Sequence, residues 1–106
     1  MGPRTGQIAI IFIAQRTPDD EAGYAAAARA MDALAAEQPG YCGMESVRGA
    51  DGLGITVSFW ADDASARAWR DHPEHRAIRD AGRGRWYAHY ELSVGTITRS
   101  HDWARG

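Results

Sequence analysis

The sequence predicts an α+β domain: one four-stranded antiparallel sheet with its helices on one face. Three observations carry this. A short turn joins Tyr41 to Arg48 with Ile55 to Trp60, so those two segments form an antiparallel hairpin. Helical patterns separate this hairpin from a strand before it and a strand after it. The resulting order, β-α-β-β-α-α-β, is met most simply by a ferredoxin-like plan.

The elements follow in order. Gln7 to Gln15 is rich in Ile, Phe and Ala and has strand length. Ile8, Ile10, Phe12 and Ala14 share one face; Ala9, Ile11 and Ile13 share the other, so both faces are apolar. Thr17-Pro18-Asp19-Asp20 reads as a helix start, with Thr17 as cap and Pro18 in the first turn. The helix runs to about Gln38, where Pro39-Gly40 stops it. In the hairpin, Ile55, Val57 and Phe59 point one way, and Thr56, Ser58 and Trp60 the other. Asp62 or Asp63 caps a second helix that carries Trp69 and ends near Asp71. Pro73 opens a third, ending at Gly82. Trp86 to Thr98 is the last strand. Alternation puts Tyr87, His89, Glu91, Ser93 and Ile97 on one face, and Trp86, Ala88, Tyr90, Leu92 and Val94 on the other.

The chain has 106 residues, the size of one domain spanning 1–106, with a core from about 7 to 99 and loose ends. Its net charge of −2 argues against a general nucleic-acid or membrane-surface binder. Its longest apolar run, Ile8 to Ala14, falls far short of a bilayer span. No leader follows Met1, and the single cysteine, Cys42, excludes an intrachain disulfide. These features fit the cytoplasm. Cys42 has no activating histidine near it in sequence and reads as inert.

The helices cover one sheet face, yet the first strand is apolar on both. Such a face measures on the order of 400 Å², from ~20 Å strands spaced ~4.8 Å apart. Burying it contributes on the order of 10 kcal/mol gross per subunit. A homodimer packed sheet to sheet is therefore expected, against an association cost of roughly 4–15 kcal/mol.

The run Ile55-Thr56-Val57-Ser58-Phe59-Trp60, then Ala68-Trp69, His75 and Trp86-Tyr87 before a long strand, resembles the antibiotic biosynthesis monooxygenase (ABM) family. The resemblance spans Ile8 to Arg99 and implies a dimeric α+β barrel. One branch of that family comprises cofactor-independent oxygenases acting on polyketide-like phenols or anthrones. The other degrades heme, using a first-strand asparagine, a tryptophan on the second helix and an axial histidine roughly three helical turns further on. Trp69 matches the tryptophan. The histidine position falls near Arg79, and the chain has no asparagine, Gln15 being the nearest substitute. The oxygenase branch has an asparagine one turn before the tryptophan, where this chain has Ser65.

The resemblance thus implies a small monooxygenase, with an aromatic or polyketide-like substrate and oxygen bound between sheet and helices and no cofactor. His75 is cast as base, Arg79 as oxyanion partner and Trp69 as catalytic pocket wall, with Trp60, Phe12, Ile78, Tyr87 and His89 binding substrate. The alternatives are a heme protein with His75 as axial ligand, or a binding dimer without chemistry. His72 reads as a helix cap, and His89 with Glu91 as a polar strip in the cavity or at the dimer seam. Arg76, Arg79, Arg83 and Arg85 form either a solvated basic face or an anion clamp. A metal site drawn from His72, His75, His89 and Glu91 has only the His-x-x-His spacing behind it, and no metal is expected.

Overall fold

A computed structural model describes residues 2–106. It contains β1 (Ile8–Arg16), α1 (Glu21–Ala36), β2 (Tyr41–Arg48), β3 (Leu53–Trp60), α2 (Asp63–Arg70), α3 (Pro73–Arg85) and β4 (Tyr87–Thr96). The four strands form one antiparallel sheet in the order β2-β3-β1-β4. The predicted architecture and helix count are those observed.

The register assigns the faces. Ile8 pairs with Trp60, Ile10 with Ser58 and Phe12 with Thr56, so these side chains share the helix side. There Trp60, fully buried, packs with Ile8, Ala35, Ala66 and Trp69 as the core of the domain. The outer side carries Ile11 opposite Val57 and Ile13 opposite Ile55. Ile11, Val47, Leu53 and Ile55 are exposed on it. Arg4 lays its guanidinium 3.6 Å from the centre of the Phe59 ring and donates to the Cys42 carbonyl. The N-terminal segment therefore covers the Phe59 end of this face.

Three features differ from the sequence reading. Thr17 does not cap α1; its hydroxyl donates to the Arg85 carbonyl at 2.8 Å, and its N–H bonds the Trp86 carbonyl. The chain tied there enters the helix three residues later. Asp20, in the left-handed region at φ 51°, accepts from the Gly23 N–H as N-cap. The Arg85 guanidinium and the Trp86 indole hold its carboxyl below the usual carboxylate range. Asp62 does cap α2, in a capping box with Ser65.

Next, α3 runs through Gly82 to Arg85, and Trp86 is its buried C-cap rather than a strand residue. Gly82 is an approach point instead of a stop. A Cβ there would lie 2.7 Å from the Tyr87 ring. That ring is held by Phe12 and Tyr24, so it cannot swing away freely. Gly82→Ala is expected to destabilise by about 1–3 kcal/mol from overpacking, less the roughly 1 kcal/mol of helix propensity gained. Urea unfolding reads the difference.

Finally, a bulge between Gln15 and Arg16 shifts the β1–β4 register: Gln15 pairs with His89, but Arg16 with Tyr87. The extra residue puts Tyr87 on the same side as Tyr90 and Phe12, whose rings it meets at 5.8 and 5.4 Å. The predicted row of Tyr87, His89 and Glu91 is thereby split.

Candidate functional site

The helix-side stripe of α3 is His75, Ile78, Arg79, Gly82 and Trp86, three and four residues apart; its other residues from Glu74 to Arg85 are exposed. His72 sits just before it as N-cap, its Nδ1 accepting from the Glu74 N–H at 3.2 Å, as the capping expectation holds. This fixes where α3 begins and turns His75 inward.

His75 lies flat on Trp69, with ring centroids 4.2 Å apart and planes at 13°. Trp69 in turn stacks on Trp60 at 5.8 Å and 22°. The innermost indole donates from Nε1 to Ser58 Oγ at 3.0 Å. A column of three rings thus runs from the sheet through α2 to α3. His75 Nδ1 stands 2.9 Å from the Trp69 carbonyl. A carbonyl only accepts, so Nδ1 carries the proton and Nε2 keeps its lone pair. Burial pushes the imidazole below its ordinary pKa of 6.5. The Trp69 carbonyl opposes this, while the charges of Arg79 and then His72 add to it. His75 is consequently a neutral base at physiological pH, with one free nitrogen.

Arg79 lies one turn after His75. Its Nε is buried with no hydrogen-bond partner, and its nearest carboxylate oxygen is Asp80 Oδ1 at 3.8 Å. Ile78 is half-buried beside it. Facing this side of the sheet, Val94 pairs with Ile10 and Leu92 with Phe12. Leu92 and Val94 remain 51% and 55% exposed, so the helices leave the β4 edge of their own face open.

The predicted site residues separate into three groups. Trp60, Trp69 and His75 form the ring column, with Ile78 and Arg79 following His75 along α3. Phe12 and Tyr87 belong to a second aromatic cluster with Tyr24 and Tyr90. Burial beside Tyr24 pushes the Tyr87 phenol up to about 12, so it stays protonated. His89 and Glu91 pair with Gln15 and Ile13 on the outer side, opposite the ring column. Of the two alternatives for His89, this outer-face position removes the place in a pocket between sheet and helices. The same separation takes apart the metal set drawn from His72, His75, His89 and Glu91. Among the described residues, no three His, Cys, Asp or Glu side chains gather as a metal site. A heme would be held by His75 Nε2; the His72 Nδ1 lone pair is already used in the cap.

Arg83 touches the Tyr90 hydroxyl and Arg85 bonds Asp20, so the basic residues of α3 have separate surface partners rather than one clamp. Sequence reasoning passed over Arg16, Arg48 and Tyr24. Arg16 is nearly fully buried, and its guanidinium lies 3.7 Å from the centre of the Tyr24 ring. The only available signal was a charge closing an otherwise apolar strand.

The chain thus combines a ferredoxin-like α+β fold with an imidazole–indole column between sheet and helices. A family model described as antibiotic biosynthesis monooxygenase matches residues 7–81. The uncharacterized protein YqjZ of Bacillus subtilis (strain 168) is 43% identical over 97 residues, covering 92% of this chain and 84% of that protein. The chain belongs to the antibiotic biosynthesis monooxygenase family. Its fold is similar to that of SnoaB, a cofactor-independent oxygenase from Streptomyces nogalater, with a TM-score of 0.76 at 16% identity over 91% of this chain and 97% of that one. It is also similar to a putative antibiotic biosynthesis monooxygenase from Nitrosomonas europaea, with a TM-score of 0.78 at 13% identity over 96% and 100% of the two chains. Among the described residues, no helix is long and apolar enough to cross a membrane.

Proposed function

We propose that this protein is a cofactor-independent monooxygenase of small aromatic or polyketide-like molecules, working as a dimer. The observation that carries the reading is the single tautomer of His75: Nδ1–H committed to the Trp69 carbonyl and Nε2 free. A flat, acidic substrate lies along the open β4 edge, over Leu92 and Val94. His75 Nε2 removes a proton from an activated carbon. Arg79, one turn further along α3, stabilises the anion with its guanidinium charge. The carbanion then reduces dioxygen and forms a carbon–oxygen bond. The peroxide takes the proton back from His75 and loses water to leave a carbonyl. One oxygen atom stays in the product and the other leaves as water, with all electrons supplied by the substrate. That balance is why no cofactor is required. The family membership and the fold likeness to a cofactor-independent oxygenase support this reading without fixing the substrate.

The test is oxygen uptake with an anthrone such as dithranol. The expected result is consumption above uncatalysed autoxidation, with the carbonyl product, in protein free of metal and heme. No excess consumption across a panel of anthrones and naphthols overturns the reading. Titration with hemin is the second arm. A saturable Soret shift that His75→Ala removes would replace the oxygenase reading with the heme one; an unshifted spectrum supports cofactor-free chemistry.

A further inference from the structure

We propose a second ligand site beneath α1, where Arg16 and Arg48 receive the carboxylate of a small organic acid. It lies at the Arg16 end of β1, whereas the ring column stands at the Ile8 end, and it does not depend on the oxygenase reading. The Tyr24 ring is flanked by two guanidiniums, with the Arg16 and Arg48 Cζ atoms 3.7 and 4.2 Å from its centroid. Arg48 also donates to the Tyr24 hydroxyl. The two cations share a single carboxylate, Glu21, at 3.3 Å from Arg16 and 3.9 Å from Arg48. The Glu21 side chain is 70% exposed, while that of Arg16 is 4% exposed. One largely solvated carboxylate thus faces two cations, one of them buried, and an excess positive charge remains under the helix.

A cavity of about 10 Å³ opens beside these groups, backed by Phe12, Ala14 and Tyr87 and flanked by Thr56. That is room for one water-sized group. It suits an oxygen of a carboxylate, with the rest of the acid outside, towards Arg48, whose side chain is 37% exposed. A planar carboxylate matches the guanidinium fork, and a buried charge that lacks full compensation gains most from an added counter-charge. The remaining bonds of Arg16, to the carbonyls of Asp19 and Trp86, hold it in place without neutralising it.

The experiment titrates the whole protein with sodium benzoate at constant ionic strength by calorimetry. Inorganic phosphate serves as a second probe. Saturable benzoate binding is expected, weakened by about tenfold or more in Arg48→Gln, the loss of one charge-assisted hydrogen bond. Arg67→Gln removes the same charge from α2, where Arg67 pairs with Asp63, and is expected to bind benzoate as the parent does. Arg48 is chosen because it is part-exposed; thermal unfolding of both variants confirms that they fold. Absent benzoate binding, equal affinity in Arg48→Gln, or an equal loss in Arg67→Gln overturns the site. Phosphate binding tighter than benzoate overturns the carboxylate assignment.

Discussion

His75→Ala is expected to lower oxygenase turnover by about 10²–10⁴-fold, the usual contribution of a positioned base. The indole column below it is retained, so substrate affinity should change far less than turnover. The pH profile separates a base from a packing residue. Burial holds the His75 imidazole below its ordinary 6.5, so the neutral form persists into mildly acidic solution. Turnover should rise with pH, inflect below that value and stay level through neutrality. Removing the neighbouring cation with Arg79→Gln should move the inflection upwards, because that charge is one of the forces lowering it. An inflection that does not move would remove Arg79 from its role beside the base.

The same ionisation acts on stability. The unfolded imidazole takes up its proton near 6.5, whereas the folded one does so only at lower pH. Between the two values the unfolded state binds more protons, so stability is full above about pH 6.5 and falls as pH drops through the folded value. Asp20, Asp62 and Asp71 are shifted below 3.8 and lose their contribution in a more acidic range. Chemical unfolding at roughly pH 7.5 and 5.5 therefore spans the His75 transition while staying above the range of these three carboxyls. His75→Ala should shrink the difference between those two conditions.

The architecture was legible because short apolar runs of strand length alternate with capped helical patterns. Ile8 to Ala14 and Ile55 to Trp60 have in the structure the faces that alternation assigns them. Asp62 and His72 were readable as caps from their position ahead of helical segments. Tyr87 was misplaced because a bulge changes the phase of a strand and leaves no mark in its alternation. Thr17 has the right side chain for a cap, but a long-range bond to Arg85 claims its hydroxyl, and no local pattern reveals that. The candidate site was legible in part from helical spacing. The spacing of His75, Ile78 and Arg79 predicted a shared face, whereas the commitment of Nδ1 to Trp69 depends on how α2 meets α3. Arg16 and Arg48 stand far apart in sequence and meet only because α1 closes over the ends of β1 and β2.

Ile55→Glu is expected to convert the proposed dimer into a monomer. On the outer side of the sheet, the central strands carry Ile11, Ile13, Leu53, Ile55 and Val57. The edge strands contribute Glu45 opposite Val57, Glu91 opposite Ile13 and His89 opposite Gln15, with Val47 as the apolar exception. An apolar centre bounded by polar edges is the anatomy of a protein interface. Arg4 closes the Phe59 end from within the same chain, which leaves the patch centred near Ile13 and Ile55. A carboxylate introduced at Ile55 would be buried against its own symmetry mate's apolar surface without a partner. That costs several kcal/mol in each subunit, enough to exceed the surplus that holds a face of this size together. Sedimentation should give twice the 11.6 kDa chain mass for the parent and the single-chain mass for Ile55→Glu. Ala26→Glu, on the exposed surface of α1, should leave the dimer intact. A parent protein that sediments as a single chain at high concentration would refute the interface. The exposure of Ile11, Leu53 and Ile55 would then need another cover, because a monomer leaves that whole patch in water.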